Sequence, residues 1–309
     1  MLLAAILLNA STASAQPPPP LGAAQGFAVL GAATVTNIGA TMITGDVGVS
    51  PGTAITGFLP PPANVIDGPG TVTTGLGLVT GTIRPGGAVA ARAHGDAGVA
   101  YASFEEMACL PINNLSGRVL GTAVLSLNPG VYCFDSSAQL TGTLTLNGAG
   151  PFIFQIASTL TTASNSAVVR INAGPACAGE NVFWQVGSSA TLGTATQFVG
   201  NVLALASVTV TTGVSVSGSV MALTGGVTLD TNTISSCAAG APVPPPIDKC
   251  EDDHHHHHGD HDGDHDGDDD HDGHHHGHDK DHDKDHDKDK HDKDNDKHDK
   301  DKDKGGKKR

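Results

Sequence analysis

Short strand-like segments that recur every 18 or 19 residues constrain this chain more than any other feature of its sequence. Residues 190–196, 208–214 and 227–233 are three copies in which small aliphatic residues alternate with Thr. Two copies of another segment, 200–205 and 218–223, fall between them with the same spacing. The period is too short for two full strands and their turns, but it fits one rung of a three-sided solenoid with strands of about 4–5 residues. The sequence therefore predicts a mainly β fold of stacked rungs.

The alternation within each copy predicts which side chains face the core of such a solenoid. The aliphatic positions would point inward: Ala190, Leu192, Val208, Val210, Val227 and Leu229. The threonines between them would point outward: Thr191, Thr209 and Thr228. Equivalent residues of stacked rungs lie about 4.8 Å apart, so repeated Thr would form a regular lattice of hydroxyl and methyl groups. Because β-branched Thr is restricted about its first side-chain torsion, that lattice would also be stiff.

Residues 86–108 have a helical rather than a strand-like pattern. Their apolar side chains fall on one stripe at helical spacing: Val89, Ala93, Ala97, Ala100, Phe104 and Met107. Gly95 and Gly98 weaken such a helix, because each costs about 1 kcal/mol relative to Ala. We nevertheless expect a single long helix whose small-residue face packs closely on a flat surface.

Five stretches of the sequence resemble the secreted ice-binding proteins with a discontinuous β-helix. They are residues 27–58 (FAVLGAATVTNIGATMITGDVGVSPGTAITGF), 127–146, 152–172, 181–204 and 226–234, and together they extend over about residues 21–236. The resemblance implies a right-handed, three-sided parallel β-helix whose N-terminal rung is separated in sequence from the rest, with one long α-helix packed alongside. It also implies binding to the surface of ice crystals, with thermal hysteresis or inhibition of recrystallisation, and no required cofactor.

The ice-binding face of this family is described as flat and rich in Thr, Ser, Ala and Gly, sometimes with a T-[AG]-x-[TN] pattern on successive rungs. Residues 162–165 (TASN) fit this pattern, 194–197 (TATQ) and 212–215 (TGVS) fit its first two positions, and 231–234 (TNTI) depart at two. The resemblance and the alternation together select the following candidates for contact with ice: Thr162, Asn165, Thr194, Gln197, Thr212, Ser215, Thr191, Thr209 and Thr228. The sequence leaves open which of the three faces carries them.

A carbohydrate-active enzyme, a class that also occurs on β-helices, is the distant alternative. Such an enzyme needs paired carboxylates or a basic side chain that handles an acidic sugar. The carboxylates of residues 21–240 do not occupy adjacent repeat positions: Asp46, Asp67, Asp96, Glu105, Glu106, Asp135, Glu180 and Asp230. We therefore predict a non-enzymatic monomer whose partner is ice, and neither a nucleic acid nor a membrane.

The N-terminal end of the chain differs in composition from the body. Residues 1–15 have an apolar run followed by small residues, which predicts a cleaved secretory signal and an extracellular protein. Residues 16–20 form a Pro-rich spacer before the β-helix domain at residues 21–240. The apolar run is too short to span a bilayer.

The sequence has five cysteines: Cys109, Cys133, Cys177, Cys237 and Cys250. In a secreted protein, cysteines are expected to form disulfides. Cys109 and Cys133 are the best candidate pair, because one ends the helical segment and the other lies in a strand-like one. An odd count leaves at least one thiol outside an intramolecular pair.

Residues 241–309 form a tail rich in His, Asp and Lys that we expect to be disordered, because it has almost no apolar residue after Cys250. From residue 248 onward it holds 16 His, 24 acidic and 13 basic side chains. Its histidines predict loose binding of Zn²⁺, Ni²⁺ or Cu²⁺, most of all at the two densest clusters: His254, His255, His256, His257, His258, His274, His275 and His276. The alternative is a tail that only keeps the protein soluble. The second hypothesis for the whole chain is an extracellular surface or matrix scaffold with a metal-binding tail.

Overall fold

The computed structural model describes residues 17–174 and 177–237. The predicted signal peptide at residues 1–15 and the tail at 241–309, with its histidine clusters at 254–258 and 274–276, lie outside the described residues. Of the predicted spacer, Pro18 and Pro19 are half-buried and border a surface pocket together with Phe183. This part of the spacer therefore lies against the body.

The N-terminal segment forms nine strands after a short 3-10 helix at Gly22–Gly26. The strands are β1 (Phe27–Gly31), β2 (Thr34–Ile38), β3 (Met42–Thr44), β4 (Asp46–Val49), β5 (Ala54–Phe58), β6 (Val65–Ile66), β7 (Thr71–Thr74), β8 (Leu78–Val79) and β9 (Thr82–Pro85). Val, Ile and Thr dominate them, as expected for half-buried strands. Gly and Pro separate successive strands at the corners of the rungs.

A single α-helix, α1 (Gly87–Glu105), follows β9 and confirms the predicted helix. It ends at Glu105, earlier than residue 108, and at this end the Gln155 side-chain amide donates to the carbonyls of Phe104 at 2.6 Å and Met107 at 2.7 Å. These bonds add donors for main-chain carbonyls near the end of the helix, where intrahelical donors run out; the Phe104 carbonyl also accepts the backbone N–H of Met107 at 3.3 Å. Among the described residues, no helix is long and apolar enough to cross a membrane.

The C-terminal segment forms sixteen strands in the described residues, after a short 3-10 helix at Pro111–Asn113. They are β10 (Ser126–Leu127), β11 (Gly130–Phe134), β12 (Ala138–Leu140), β13 (Thr143–Asn147), β14 (Phe152–Ile156), β15 (Leu160–Thr162), β16 (Ala167–Ile171), β17 (Val182–Val186), β18 (Ala190–Leu192), β19 (Gln197–Val199), β20 (Asn201–Ala204), β21 (Val208–Val210), β22 (Ser215–Ser217), β23 (Val220–Ala222), β24 (Val227–Asp230) and β25 (Thr233–Ser235).

These strands form three parallel sheets, and each complete rung of the C-terminal segment contributes one strand to each of them. Sheet A has the order β11-β14-β17-β20-β23-β1-β4-β9-β6, sheet B the order β12-β15-β18-β21-β24-β2-β5-β7, and sheet C the order β10-β13-β16-β19-β22-β25-β3-β8. The last C-terminal strands β23, β24 and β25 pair with the first N-terminal strands β1, β2 and β3. The structure thus confirms a three-sided β-helix built from two segments that are separated in sequence.

The registers of the C-terminal rungs match the sequence repeat. Ala190 pairs with Val208, and Val208 with Val227. All six aliphatic side chains that the repeat directs inward are buried, and Thr191, Thr209 and Thr228 face outward, as predicted. The alternation of side chains along a β-strand therefore predicted correctly which residues of this sheet face the core and which face outward.

A column of aromatic rings fills the C-terminal half of the core. Phe154 stacks on Trp184 with ring centroids 3.8 Å apart, and Tyr132 and Phe198 extend the column at 5.7 and 5.1 Å. The Trp184 indole N–H donates to the carbonyl of Val199 at 3.1 Å. Tyr132, Phe154 and Trp184 occupy equivalent positions on successive strands of sheet A, whereas Phe198 lies on β19 of the same rung as Trp184 and packs against it from sheet C.

Helix α1 covers the outer side of sheet A and forms a second core there. Ala93, Ala97 and Ala100 are fully buried, and Phe104 stacks near Phe183 with ring centroids 4.7 Å apart. The predicted small-residue face is thus confirmed, with Val89 and Met107 only partly buried at its ends. Because alanine side chains are short, the helix axis can approach the sheet closely.

Two polar contacts anchor α1 further. Asp96 accepts the backbone N–H of Ala23 at 2.7 Å, and the His94 imidazole contacts the carbonyl of Leu223 at 2.9 Å. The His94 side chain therefore contributes to the packing of the helix against the solenoid.

The described part of the chain contains two disulfides. Cys109–Cys133 confirms the predicted pair and joins the end of the helical segment to β11. Cys177–Cys237, which the sequence did not single out, joins the loop before β17 to the residues after β25. Cys250 lies outside the described residues. Disulfides of this kind are consistent with an oxidising, extracellular location.

Candidate functional site

The outer side of sheet B carries a ladder of threonines in register. One outward position on each of its eight strands forms the ladder: Gln139, Thr161, Thr191, Thr209, Thr228, Thr36, Thr56 and Thr73. Every member is exposed or half-exposed. Neighbouring strands in a sheet are about 4.8 Å apart, so seven consecutive Thr repeat at that interval.

A second column of small polar residues runs beside the ladder, two residues earlier on each rung. Its members are Ser137, Thr159, Ser189, Ser207, Gly226, Thr34, Ala54 and Thr71. Successive hydroxyls contact one another in places, as where Thr159 donates to Ser137 at 2.8 Å. The two columns together form a surface of hydroxyl groups, methyl groups and backbone, which we call the threonine face.

The threonine face is almost free of charge. In the described strands of sheet B, Asp230 at the end of β24 is the single charged side chain. The helix lies on sheet A, on another side of the solenoid, and leaves the threonine face open.

The outer side of sheet C is chemically less regular. Its outward side chains include large apolar groups as well as hydroxyls, among them Met42, which is 58 % exposed, and Val169, which is 40 % exposed. The loop before β17 lies against this sheet, since Cys177 Sγ is 3.7 Å from Ser217 Oγ. Sheet C therefore lacks the uniform, uncovered lattice of sheet B.

The nine candidates chosen from the sequence fall on different parts of the solenoid. Three lie on the threonine face, namely Thr191, Thr209 and Thr228. Three lie on the corner between sheets B and C, namely Asn165, Thr194 and Thr212, and two begin strands of sheet C, namely Gln197 and Ser215. A single flat surface cannot include all of them.

The ninth candidate, Thr162, is buried, and its assignment to an exposed surface was wrong. It ends β15, where Leu160 and Thr162 point inward and Thr161 points outward. Its hydroxyl lies 2.9 Å from Thr196 Oγ1 and accepts the backbone N–H of Gly193 at 2.8 Å. Thr162 therefore contributes to the internal packing of the corner.

The TASN pattern misled because it is out of step with the rungs. Leu160 pairs with Ala190 and Ala167 with Gln197, so that Thr162 is equivalent to Leu192 rather than to Thr194. The patterns at 194–197 and 212–215 are in register, since Gln197 pairs with Ser215.

Five ladder residues were not among the candidates: Gln139, Thr161, Thr36, Thr56 and Thr73. The sequence could have indicated two of them, because residues 34–36 and 71–73 both have the sequence TVT and so alternate Thr with Val as β21 (VTV) does. Their place beside the C-terminal rungs was not evident, because α1 and the following loop interrupt the period.

At the corner, hydroxyls are engaged with one another and with Asp230. Thr212 Oγ1 donates to one carboxylate oxygen of Asp230, and Thr231 Oγ1 donates to the other at 3.0 Å. Thr194 Oγ1 lies 3.4 Å from Thr211 Oγ1. The corner is thus a small polar network that adjoins the threonine face.

Groups with perturbed pKa values lie apart from one another. Burial raises the pKa of Tyr101 on α1 and of Tyr132 in the core, and desolvation lowers the pKa of Arg170 at the end of β16. Ser50 lies in a G-x-S-x-G sequence, but it is buried and follows a strand that leads into a further strand, not into the helix of a nucleophile elbow. Among the described residues, no group of three or more His, Cys, Asp and Glu could hold a metal ion.

Comparisons with known proteins agree with this architecture. A family described as Ice-binding-like matches residues 29–235. The chain is 48% identical over 227 residues to an ice-binding protein of Nostoc sp. (strain HG1), covering 72% of this chain and 76% of that protein. It is 32% identical over 228 residues to an ice-binding protein of Flavobacterium frigoris (strain PS1), covering 70% and 75%.

Solved structures give the same result. The chain matches the crystal structure of an ice binding protein from an Antarctic biological consortium with a TM-score of 0.60 and 37% identity, over 72% of this chain and 92% of that one. It matches the ice-binding protein of the Antarctic ascomycete Antarctomyces psychrotrophicus with a TM-score of 0.59 and 36% identity, over 71% and 98%.

Proposed function

The chain belongs to the ice-binding-like family, and we propose that it binds ice crystals through the threonine face of sheet B. The observation that carries this proposal is the ladder of seven consecutive threonines in register, which extends across both segments of the chain. Relatives named ice-binding proteins share the fold. The family consists of binding proteins rather than enzymes, and it needs no cofactor.

The chemistry of this face suits a partner made of ordered water. Threonine hydroxyls can hydrogen-bond to water at a surface, while their methyl groups contact it without a strong hydration shell of their own. Charged groups would have to lose tightly held water against ice, and such desolvation is expensive. A face with one charge at its border avoids most of this cost.

Rigidity makes many weak contacts effective. Each Thr of the ladder is β-branched and sits on a strand paired on both sides or at a sheet end, so little freedom remains to be lost on adsorption. An adsorbed protein stops local growth of the crystal, which inhibits both freezing and recrystallisation. We propose that a single molecule acts in this way, without a protein partner.

The test is a freezing assay on the full chain with substitutions that separate the faces. Thr209→Tyr places a bulky ring in the middle of the threonine face, and Ser215→Tyr places the same ring on sheet C of the same rung. Tyr is compatible with both strands. We expect Thr209→Tyr to lose most of the thermal hysteresis and recrystallisation inhibition, and Ser215→Tyr to retain them.

The opposite pattern would move the contact surface to sheet C. Lack of both activities in the unsubstituted chain would remove ice as the partner and favour the scaffold hypothesis. Circular dichroism of both variants shows whether the fold is intact.

We also propose that the protein is exported and that its C-terminal tail binds divalent metal ions loosely. The composition of residues 248–309, with 16 His among acidic side chains, supports this second role. The tail would then act beside ice binding and not as part of it.

A further inference from the structure

Asp230 interrupts the outer side of sheet B, which carries no other charge in the described residues. It lies two residues after Thr228 on β24, so the alternation of the strand directs its side chain to the same side as the ladder. Across the sheet it is in register with Ile38 of β2. The carboxylate therefore lies where the threonine face turns towards sheet C.

The carboxylate engages both neighbouring hydroxyls of the corner. Thr212 Oγ1 donates to Asp230 Oδ2 and Thr231 Oγ1 donates to Asp230 Oδ1. A threonine hydroxyl has one proton, so both hydroxyls are left with acceptor lone pairs for any external partner. Around Asp230 the surface thus accepts hydrogen bonds but scarcely donates them, unlike the rest of the face.

Nothing nearby offsets this charge. The elements packed against β24 are β21, β2, β1 and β23, and residues 205–237 and 27–45, which include them, contain no Asp, Glu, His, Lys or Arg other than Asp230 itself. The two ion pairs of the described residues are formed by Arg84 with Asp46 and Asp67 and do not involve Asp230.

We infer that the charge of Asp230 sets the border of the ice-contact surface and weakens adsorption, an inference that rests on the proposed function of the threonine face. An ionised carboxylate keeps its hydration water, and a crystal that approached the corner would have to displace it at high cost. Contact therefore stops at the ladder. Thr212 and Thr231 lie beyond this border, although both are exposed.

Asp230→Asn in the full chain is the main test, because Asn has the same size and can still accept from one Thr and donate to the other. We expect the variant to reach a given thermal hysteresis at about two- to fivefold lower protein concentration at pH 7, the range that corresponds to an exposed charge effect.

Glu106→Gln is the matched control, because it removes the same charge from an exposed position at the end of α1. Its hysteresis at pH 7 should equal that of the unsubstituted chain. Asp230→Ala, which removes the charge without adding an amide, should change hysteresis in the same direction as Asp230→Asn.

Equal or lower hysteresis of Asp230→Asn at pH 7, in a protein whose thermal unfolding is unchanged, would overturn the inference. The proposed function would survive that result if Thr209→Tyr still abolished activity. An unsubstituted chain with no activity would instead remove the proposed function itself, so the two failures are distinguishable.

Discussion

Thr228 of the last C-terminal rung pairs in register with Thr36 of the N-terminal segment, although most of the chain lies between them. Val227 and Val35 pair beside them and are fully buried, so the junction is packed as well as hydrogen-bonded. The ladder therefore continues without a gap from one segment to the other. Its regularity depends on a contact that the order of the sequence does not provide.

The N-terminal segment should accordingly take part in ice binding. We expect Thr36→Tyr to reduce thermal hysteresis as strongly as Thr209→Tyr, because both rings would stand on the same ladder. Thr44→Tyr is the matched control, since Thr44 is exposed on sheet C of the same segment and should tolerate the ring. Full activity of Thr36→Tyr would show that the contact surface ends before the junction.

The sequence predicted the C-terminal rungs well, and the reason is physical. Successive rungs in register have similar numbers of residues, which makes the period visible in residues 190–233. Alternate residues of each strand must face the core, which makes the inward positions recognisable as aliphatic. The family resemblance implied an N-terminal rung separated in sequence from the rest, but the pairing of Thr36 with Thr228 was not predicted, because α1 and the residues after it interrupt the period.

The location of the site was less predictable for a related reason. The residue type does not show whether a Thr faces the core or the solvent. Thr162 was selected by its motif, although Leu160, two residues earlier on the same strand, faces the core and places Thr162 on the same side. The Cys177–Cys237 bond was equally hidden, since only the folded corner brings the loop before β17 to the end of β25.

Thr162 and Thr161 should separate stability from ice binding. Thr162→Val removes the hydroxyl that accepts the Gly193 N–H and should cost about 1–3 kcal/mol of unfolding free energy, with little effect on hysteresis in the cold. Thr161→Tyr should do the reverse, because Thr161 is an exposed member of the ladder. Thermal denaturation and hysteresis of both variants check the pair. A loss of hysteresis in folded Thr162→Val would contradict the buried role.

Trp184 should be the most sensitive position of the core. It is fully buried between Phe154 and Phe198, and Trp184→Ala should reduce the free energy of unfolding by about 3–5 kcal/mol through the cavity that it leaves. Trp184→Phe keeps a ring in the column and loses the hydrogen bond to Val199, so a smaller loss is expected. Urea denaturation followed by circular dichroism measures both. Equal losses would mean that the hydrogen bond, and not ring packing, dominates.

Replacement of Gly95 or Gly98 by Ala should increase the stability of the protein. Both lie inside α1, and a Cβ at either would meet no atom within 4 Å. Gly95→Ala and Gly98→Ala should each stabilise the protein by about 0.5–1 kcal/mol, because Gly loses more backbone freedom in a helix than Ala. Gly48→Ala is the control, since its Cβ would lie 2.5 Å from a ring carbon of Phe27 and should destabilise. Thermal unfolding of the three variants measures these changes. If neither Gly95→Ala nor Gly98→Ala stabilised the protein, the argument would be contradicted.

The tail should bind metal in a pH-dependent manner. Calorimetric titration of the full chain with Zn²⁺ and Ni²⁺ should give heat at pH 7.5 and much less below about pH 5.5, because imidazole must be neutral to coordinate a metal. A chain that ends at Asp248 lacks the 16 tail histidines and should give no such heat, which assigns the binding to the tail. Thermal hysteresis should be the same for both chains, because the threonine face lies entirely before residue 237. Absence of heat from the full chain at pH 7.5 would leave solubility as the role of the tail.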